Sequence, residues 1–93
     1  MVKKTFTVID ELGIHTRPAS ILVQAASQYN AEVNIEYNGR SINLKSIVGV
    51  MSLGVPHGAQ IQIAAVGSDA NKAIQGIEEA LKNEGLGGPC EVI

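Results

Sequence analysis

Residues 4–9 alternate, with Phe6 and Val8 on one side and Thr5 and Thr7 on the other. That is the period of a strand with one buried face. Asp10-Glu11-Leu12-Gly13 follows as a turn, and then the period changes. From Thr16 onward Ala19, Leu22, Val23 and Ala26 lie at i, i+3, i+4 and i+7, one apolar stripe of a helix. Pro18 fits only the first turn of that helix, because further in it would remove a needed N–H. Alternation returns over 32–37, with Val33, Ile35 and Tyr37 inward, and over 40–44, with Ile42 and Leu44 inward. Asn38-Gly39 between them suits a type I′ hairpin turn, which needs positive φ twice. Residues 46–53 predict a short helix capped by Ser46 and ended by Gly54, with Gly49 a weak point inside it. A fourth strand covers 60–66, with Ile61, Ile63 and Ala65 inward. After Gly67, Ser68 or Asp69 caps a last helix with the stripe Ala70, Ala73, Ile74, Ile77 and Leu81, and Gly85 is its terminator.

The order β-α-β-β-α-β-α has a consistent polarity. Thr5, Thr7, Glu32, Asn34, Glu36, Ser41, Asn43, Gln60 and Gln62, on the opposite strand faces, are all polar. The expectation is a two-layer α+β domain: a four-stranded antiparallel sheet, wet on one face and covered by helices on the other. A chain of 93 residues with 45% apolar content makes one domain with one core. Repeats, low-complexity tracts and linkers are absent.

Composition narrows the function. Aromatic content is 3% and the formal charge is −2, so neither stacking platforms nor a basic footprint for nucleic acid is available. No apolar run is long enough to span a bilayer, and "MVKKTFTVID" lacks the apolar core of a secretory signal. One cysteine, Cys90, cannot form an internal disulfide, and a reducing cytoplasm is expected. No metal site assembles around His15 or His57, and no cofactor is expected. His57, in "VPHGA", is taken as a solvated turn residue.

The stretch "GIHTRPAS", residues 13–20, places His15 on the threshold of the first helix. A helix N-terminus has unpaired N–H groups and about half a positive charge, so it favours anions, phosphate in particular. The N–H groups of Thr16 and Arg17 are available there, and the Arg17 guanidinium can fork onto phosphate oxygens. An imidazole, with an ordinary pKa of about 6.5, is largely neutral at cytoplasmic pH and can attack phosphorus to form a covalent intermediate. A phosphohistidine met by backbone amides and one arginine is one reading. A bland cap or surface residue is the other.

A second stretch, "LKSIVGVMSLG" at 44–54, holds more apolar residues than one stripe of so short a helix can bury. Some of Ile47, Val48, Val50, Met51 and Leu53 must be exposed, which is a mark of partner surfaces. Ser46 as an N-cap is worth about 1 kcal/mol. A phosphate there would add about −1.5 to −2 charges at a helix end that tolerates them, altering surface potential and not the fold.

At these two stretches the sequence resembles the HPr family, the histidine-containing phosphocarriers of the bacterial phosphoenolpyruvate-dependent sugar phosphotransferase system. "GIHTRPA" matches the phosphohistidine motif, and "YNGRSINLKSIVGVMSLG" matches the regulatory-serine region of the Gram-positive branch. The resemblance runs from about residue 3 to 86. It implies an open-faced β-sandwich over 1–88, with a tail, 89–93, outside the family pattern. It implies that His15 takes phosphate from enzyme I and passes it to enzyme IIA proteins, with Arg17 and the Thr16 amide as phosphate contacts. Ser46 would be the target of the ATP-dependent HPr kinase/phosphorylase, and the serine-phosphorylated form a corepressor with catabolite control protein A. Ile47, Val48 and Met51 would belong to the shared partner patch. The chain would be a monomeric carrier and not an enzyme. Thr16 replaces the commoner Ala, and Val48 stands where Met is usual, giving a smaller, stiffer contact. Two other classes remain open: a small-molecule-binding regulatory domain with His15 as a mere cap, and an independent hydrolase or transferase, which would need a second catalytic group near His15.

Overall fold

The structure, a computed structural model, describes residues 1–89. Eight elements follow in the order β1 (Val2–Val8), α1 (Thr16–Ser27), β2 (Glu32–Tyr37), β3 (Arg40–Asn43), α2 (Ile47–Met51), β4 (Gln60–Val66), α3 (Ala70–Asn83) and β5 (Gly87–Pro89). The α+β class and the antiparallel open sheet agree with the sequence reading. The strand count does not: among the described residues the sheet has five strands, ordered β3-β2-β4-β1-β5, in place of the expected four. The extra strand is the Gly-Gly-Pro segment, which pairs Gly87 with Val8 and Pro89 with Phe6 on the outer edge of β1. Residue 89, counted with the tail, therefore begins its course inside the sheet; Cys90 and residues 91–93 lie outside the described residues.

The inward faces are the alternating ones. Phe6, Val8, Val33, Ile35, Leu44, Ile61, Ile63 and Ala65 are buried, and against them pack Ala19, Leu22, Ala25 and Ala26 of α1, Val50 of α2, and Ala73, Ile74, Ile77 and Leu81 of α3. Val23, Tyr37 and Ile42 pack only part-buried at the margins. Asn38 and Gly39 have φ of 52° and 81°, as the tight hairpin demands. Helix α2 is shorter than expected, because Leu53 leaves the helical turn to bury itself as loop. Asp69 stands at the N-cap of α3, yet its carboxylate accepts no helical amide. Its Oδ2 instead accepts the Asn30 N–H at 2.8 Å, tying the start of α3 to the turn after α1.

On the helix-covered side of the sheet, charge ties α3 to β1. Glu78 on α3 receives Lys4 of β1 and, at 3.0 Å, Lys82 one turn on. The hydrogen bond from Lys4, then that from Lys82, holds the Glu78 carboxyl below its ordinary pKa. A depressed folded value means the stabilisation is complete above the ordinary glutamate range and is lost as pH falls through the lowered value. Glu78→Gln is expected to lower stability by about 0.5–1 kcal/mol at neutral pH, since both lysines are about half exposed. Urea midpoints of the two proteins should converge once pH drops below the folded value.

Candidate functional site

Gly13 fixes where His15 can be. Its φ is 70°, and a Cβ built there would stand 2.1 Å from the Val55 carbonyl oxygen, so loop 10–13 lies flush on loop 55–58. The Ile14 N–H donates to that same Val55 carbonyl at 2.9 Å, and Ile14 is buried. The chain thus enters α1 with His15, Thr16 and Arg17 outward between the buried Gly13–Ile14 and Pro18–Ala19 pairs.

His15 is the N-cap, with extended backbone (φ −99°, ψ −160°) and no cap hydrogen bond from its side chain. Its carbonyl accepts the Ala19 N–H at 3.0 Å, the first bond of the helical ladder. Pro18 has no N–H to offer. The Thr16 and Arg17 amides of the first turn have no intrahelical acceptor, which leaves them free for an anion beside the imidazole. The imidazole is 35% exposed, open to solvent while its backbone is held. Nothing about this arrangement encloses a ligand.

Three contacts near His15 were not legible in the motif. Asp10, read as a turn residue, brings Oδ1 to 3.4 Å from His15 Nε2. Arg17 does not stand idle: its Nη2 donates to Glu84 Oε1 at 2.9 Å, bridging α1 to the C-cap of α3. Both partners are about half exposed, so the pair is weak and exchangeable. His57, read as a solvated turn residue, is exposed but engaged; its Nδ1 lies 3.2 Å from the Asp10 carbonyl, to which the Nδ1–H tautomer donates. A carboxylate five residues before the histidine carries no periodic signal, and Glu84 sits at the far end of another helix.

The second predicted stretch keeps its geometry. Ser46 is the N-cap of α2 and its Oγ accepts the Gly49 N–H at 3.1 Å. Val48 is 81% exposed, with Ile47 and Met51 about 40% exposed, while Val50 is fully buried. The apolar excess on this short helix is therefore outward, in contact with solvent. Leu12, on the loop leading to His15, is 75% exposed as well. Among the described residues no group of three or more His, Cys, Asp or Glu side chains gathers as a metal site, and no helix is long and apolar enough to cross a membrane. An open groove of about 300 Å³ lies between α1 and α3, lined by Ile21, Gln24, Gln28 and Glu84 among others; His15 is not part of its lining.

The family model described as "PTS HPr component phosphorylation site" matches residues 2–83. The chain belongs to the HPr family. Among solved structures, the histidine-containing phosphocarrier protein of Mycoplasma is 38% identical, with a TM-score of 0.88 over 91% of this chain and 97% of that one. HPr of Bacillus anthracis is also 38% identical, with a TM-score of 0.79 over 85% and 94%. Crh of Bacillus subtilis, a catabolite repression protein crystallised as a domain-swapped dimer, is 33% identical, with a TM-score of 0.70 over 90% and 97%. The match covers both stretches, residues 13–20 and 44–54.

Proposed function

We propose that the protein is the phosphoryl carrier of a sugar phosphotransferase relay, accepting phosphate on His15 from phosphorylated enzyme I and delivering it to enzyme IIA proteins. The observation that carries this reading is the exposed imidazole held at the open N-terminus of α1 by Gly13 and Ile14. In-line transfer needs a nucleophile reachable along one axis and positive groups around the transferring oxygens. The Thr16 and Arg17 amides supply the second requirement at once. The Arg17 guanidinium supplies more when it leaves Glu84, a weak solvent-exposed partner, for a doubly charged phosphoryl group. A carrier must also release its cargo, which suits a shallow site. The chain acts as a covalent intermediate and not as an enzyme, and its place is the cytoplasm.

The regulatory half of the proposal rests on α2. Ser46 is the residue an HPr kinase/phosphorylase would modify with ATP, and the phosphorylated form would serve as corepressor with catabolite control protein A. The likeness to Crh, named for catabolite repression, supports this. Ile47, Val48 and Met51 form the apolar surface on which partners orient. Phosphate at the head of α2 would repel an acidic enzyme I surface and offer a regulator a new anionic contact. Ser46→Asp is expected to slow enzyme I-dependent labelling of His15 while shifting the melting temperature little, since a negative group at a helix N-terminus costs nothing in helix electrostatics. Unimpaired labelling together with a large stability loss contradicts that half.

The carrier reading itself is tested by incubating the protein with phosphoenolpyruvate and enzyme I. An acid-labile, base-stable phosphate, mapped to His15 by mass spectrometry, is expected. A ligand-binding domain of the same fold would acquire none.

A further inference from the structure

We propose that Asp10 is a positioning residue for phosphoryl transfer at His15, holding the proton on Nε2 and balancing the charge the ring gains when Nδ1 is phosphorylated. The inference rests on the carrier reading above. Asp10 is held by its backbone and its side chain alike. The Asp10 N–H donates to the Leu86 carbonyl at 3.3 Å, and the Asp10 carbonyl accepts the Gly13 N–H at 2.9 Å and faces His57 Nδ1 at 3.2 Å. Its own Oδ1 accepts the Leu12 N–H at 3.0 Å, closing a side-chain turn. The side chain is 19% exposed. Among the described residues no lysine or arginine forms an ion pair with it; the basic group it meets is His15.

The consequence is chemical. A carboxylate is an acceptor only, so one held 3.4 Å from Nε2, at ion-pair distance, electrostatically favours the tautomer with the proton there and the lone pair on Nδ1. Attack by Nδ1 on the phosphorus of a phosphorylated donor forms the new N–P bond. The donor's bond to phosphorus breaks, and its leaving atom takes that electron pair. The proton stays on Nε2, so the phosphorylated ring is cationic, and it faces the Asp10 carboxylate across 3.4 Å. A carboxylate in this place does for the ring what an orienting acid does for a nucleophile-activating histidine: it sets the tautomer and stabilises the cation.

Asp10→Asn separates this role from a structural one. Asparagine keeps the oxygen that accepts the Leu12 amide and removes the charge, so the turn and the melting temperature should hold. Asp10→Ala removes both and serves as the structural control. Two readouts are taken on the wild type and the Asn variant: the His15 tautomer by ¹⁵N–¹H correlation on histidine-labelled protein where the ring is neutral, and the initial rate of labelling by enzyme I and phosphoenolpyruvate. The expected result is a dominant Nε2–H tautomer that loses its dominance in Asp10→Asn, with labelling slowed about fivefold, the rate equivalent of a partly exposed charge pair. An unchanged tautomer ratio, or labelling at the wild-type rate, overturns the role of Asp10. A wild type that never becomes labelled sinks the carrier reading instead, and the tautomer comparison still decides for or against Asp10.

Discussion

Gly13→Ala is expected to destabilise the domain by about 2–6 kcal/mol and to disable His15 at the same time. Two costs add. A non-glycine residue at φ 70° costs about 1–3 kcal/mol. The new methyl would also stand 2.1 Å from the Val55 carbonyl and 2.8 Å from Pro56 Cα, both backbone atoms with little freedom to yield. Overpacking of that kind adds about 1–3 kcal/mol. For a domain of this size the sum corresponds to a fall in melting temperature of about 10 °C or more. Loop 10–13 must lift away from loop 55–58, which breaks the Ile14 N–H bond to Val55 and moves the entry into α1. Labelling of His15, measured below the melting transition, should therefore drop even in the molecules that remain folded. Thermal unfolding within a degree or two of wild type would show that the loop contact is softer than its geometry.

His15→Ala has the opposite profile: complete loss of labelling with almost no loss of stability. The side chain makes no cap hydrogen bond, so the helix start does not depend on it. Its backbone carbonyl, which receives the Ala19 N–H, is unaffected by truncation. A change within about 0.5 kcal/mol is expected, as for surface substitutions away from special features. The pairing matters because unfolding could not then explain the missing phosphate. Urea midpoints and phosphate incorporation, measured on the same preparation, check it. Residual incorporation comparable to wild type would move the acceptor elsewhere on the chain.

These two positions also show how the sequence conveyed the fold. Periodicity exposed the elements whose partner is a flat, half-buried surface: β1, β2, β4, α1 and α3 each carry their stripe in one stretch of chain. Turn chemistry gave Asn38-Gly39 and the Gly85 terminator, whose φ is 67°. β5 carries no such stripe. Gly87, Gly88 and Pro89 have low strand propensity, and Gly87 is glycine because a Cβ would stand 2.6 Å from the Thr7 carbonyl. The segment is a strand because β1 offers it an edge, a fact that exists only in three dimensions. Helix α2 was visible as a helix but not in length, since burial of Leu53 overrides the helical register.

The candidate site divides the same way. His15, Thr16, Arg17 and Ser46 are legible because helix starts have local signatures: a glycine-led turn, a first-turn proline and a serine cap. Asp10, His57 and Glu84 are not, because each reaches the site through a loop or helix end that tertiary packing delivers. The candidate phosphate contacts around His15 belong to a short contiguous motif, and the side chains that pack beside them are scattered along the chain.

The carrier claim is that the phosphoryl group on His15 is in transit. A chase measures this directly: the chain is labelled with radioactive phosphoenolpyruvate and enzyme I, freed of donor, and mixed with an unphosphorylated enzyme IIA. The label is expected to leave His15 and appear on the acceptor protein, with little free phosphate formed over the same interval. Label that stays on the chain, or departs only to water, would contradict it.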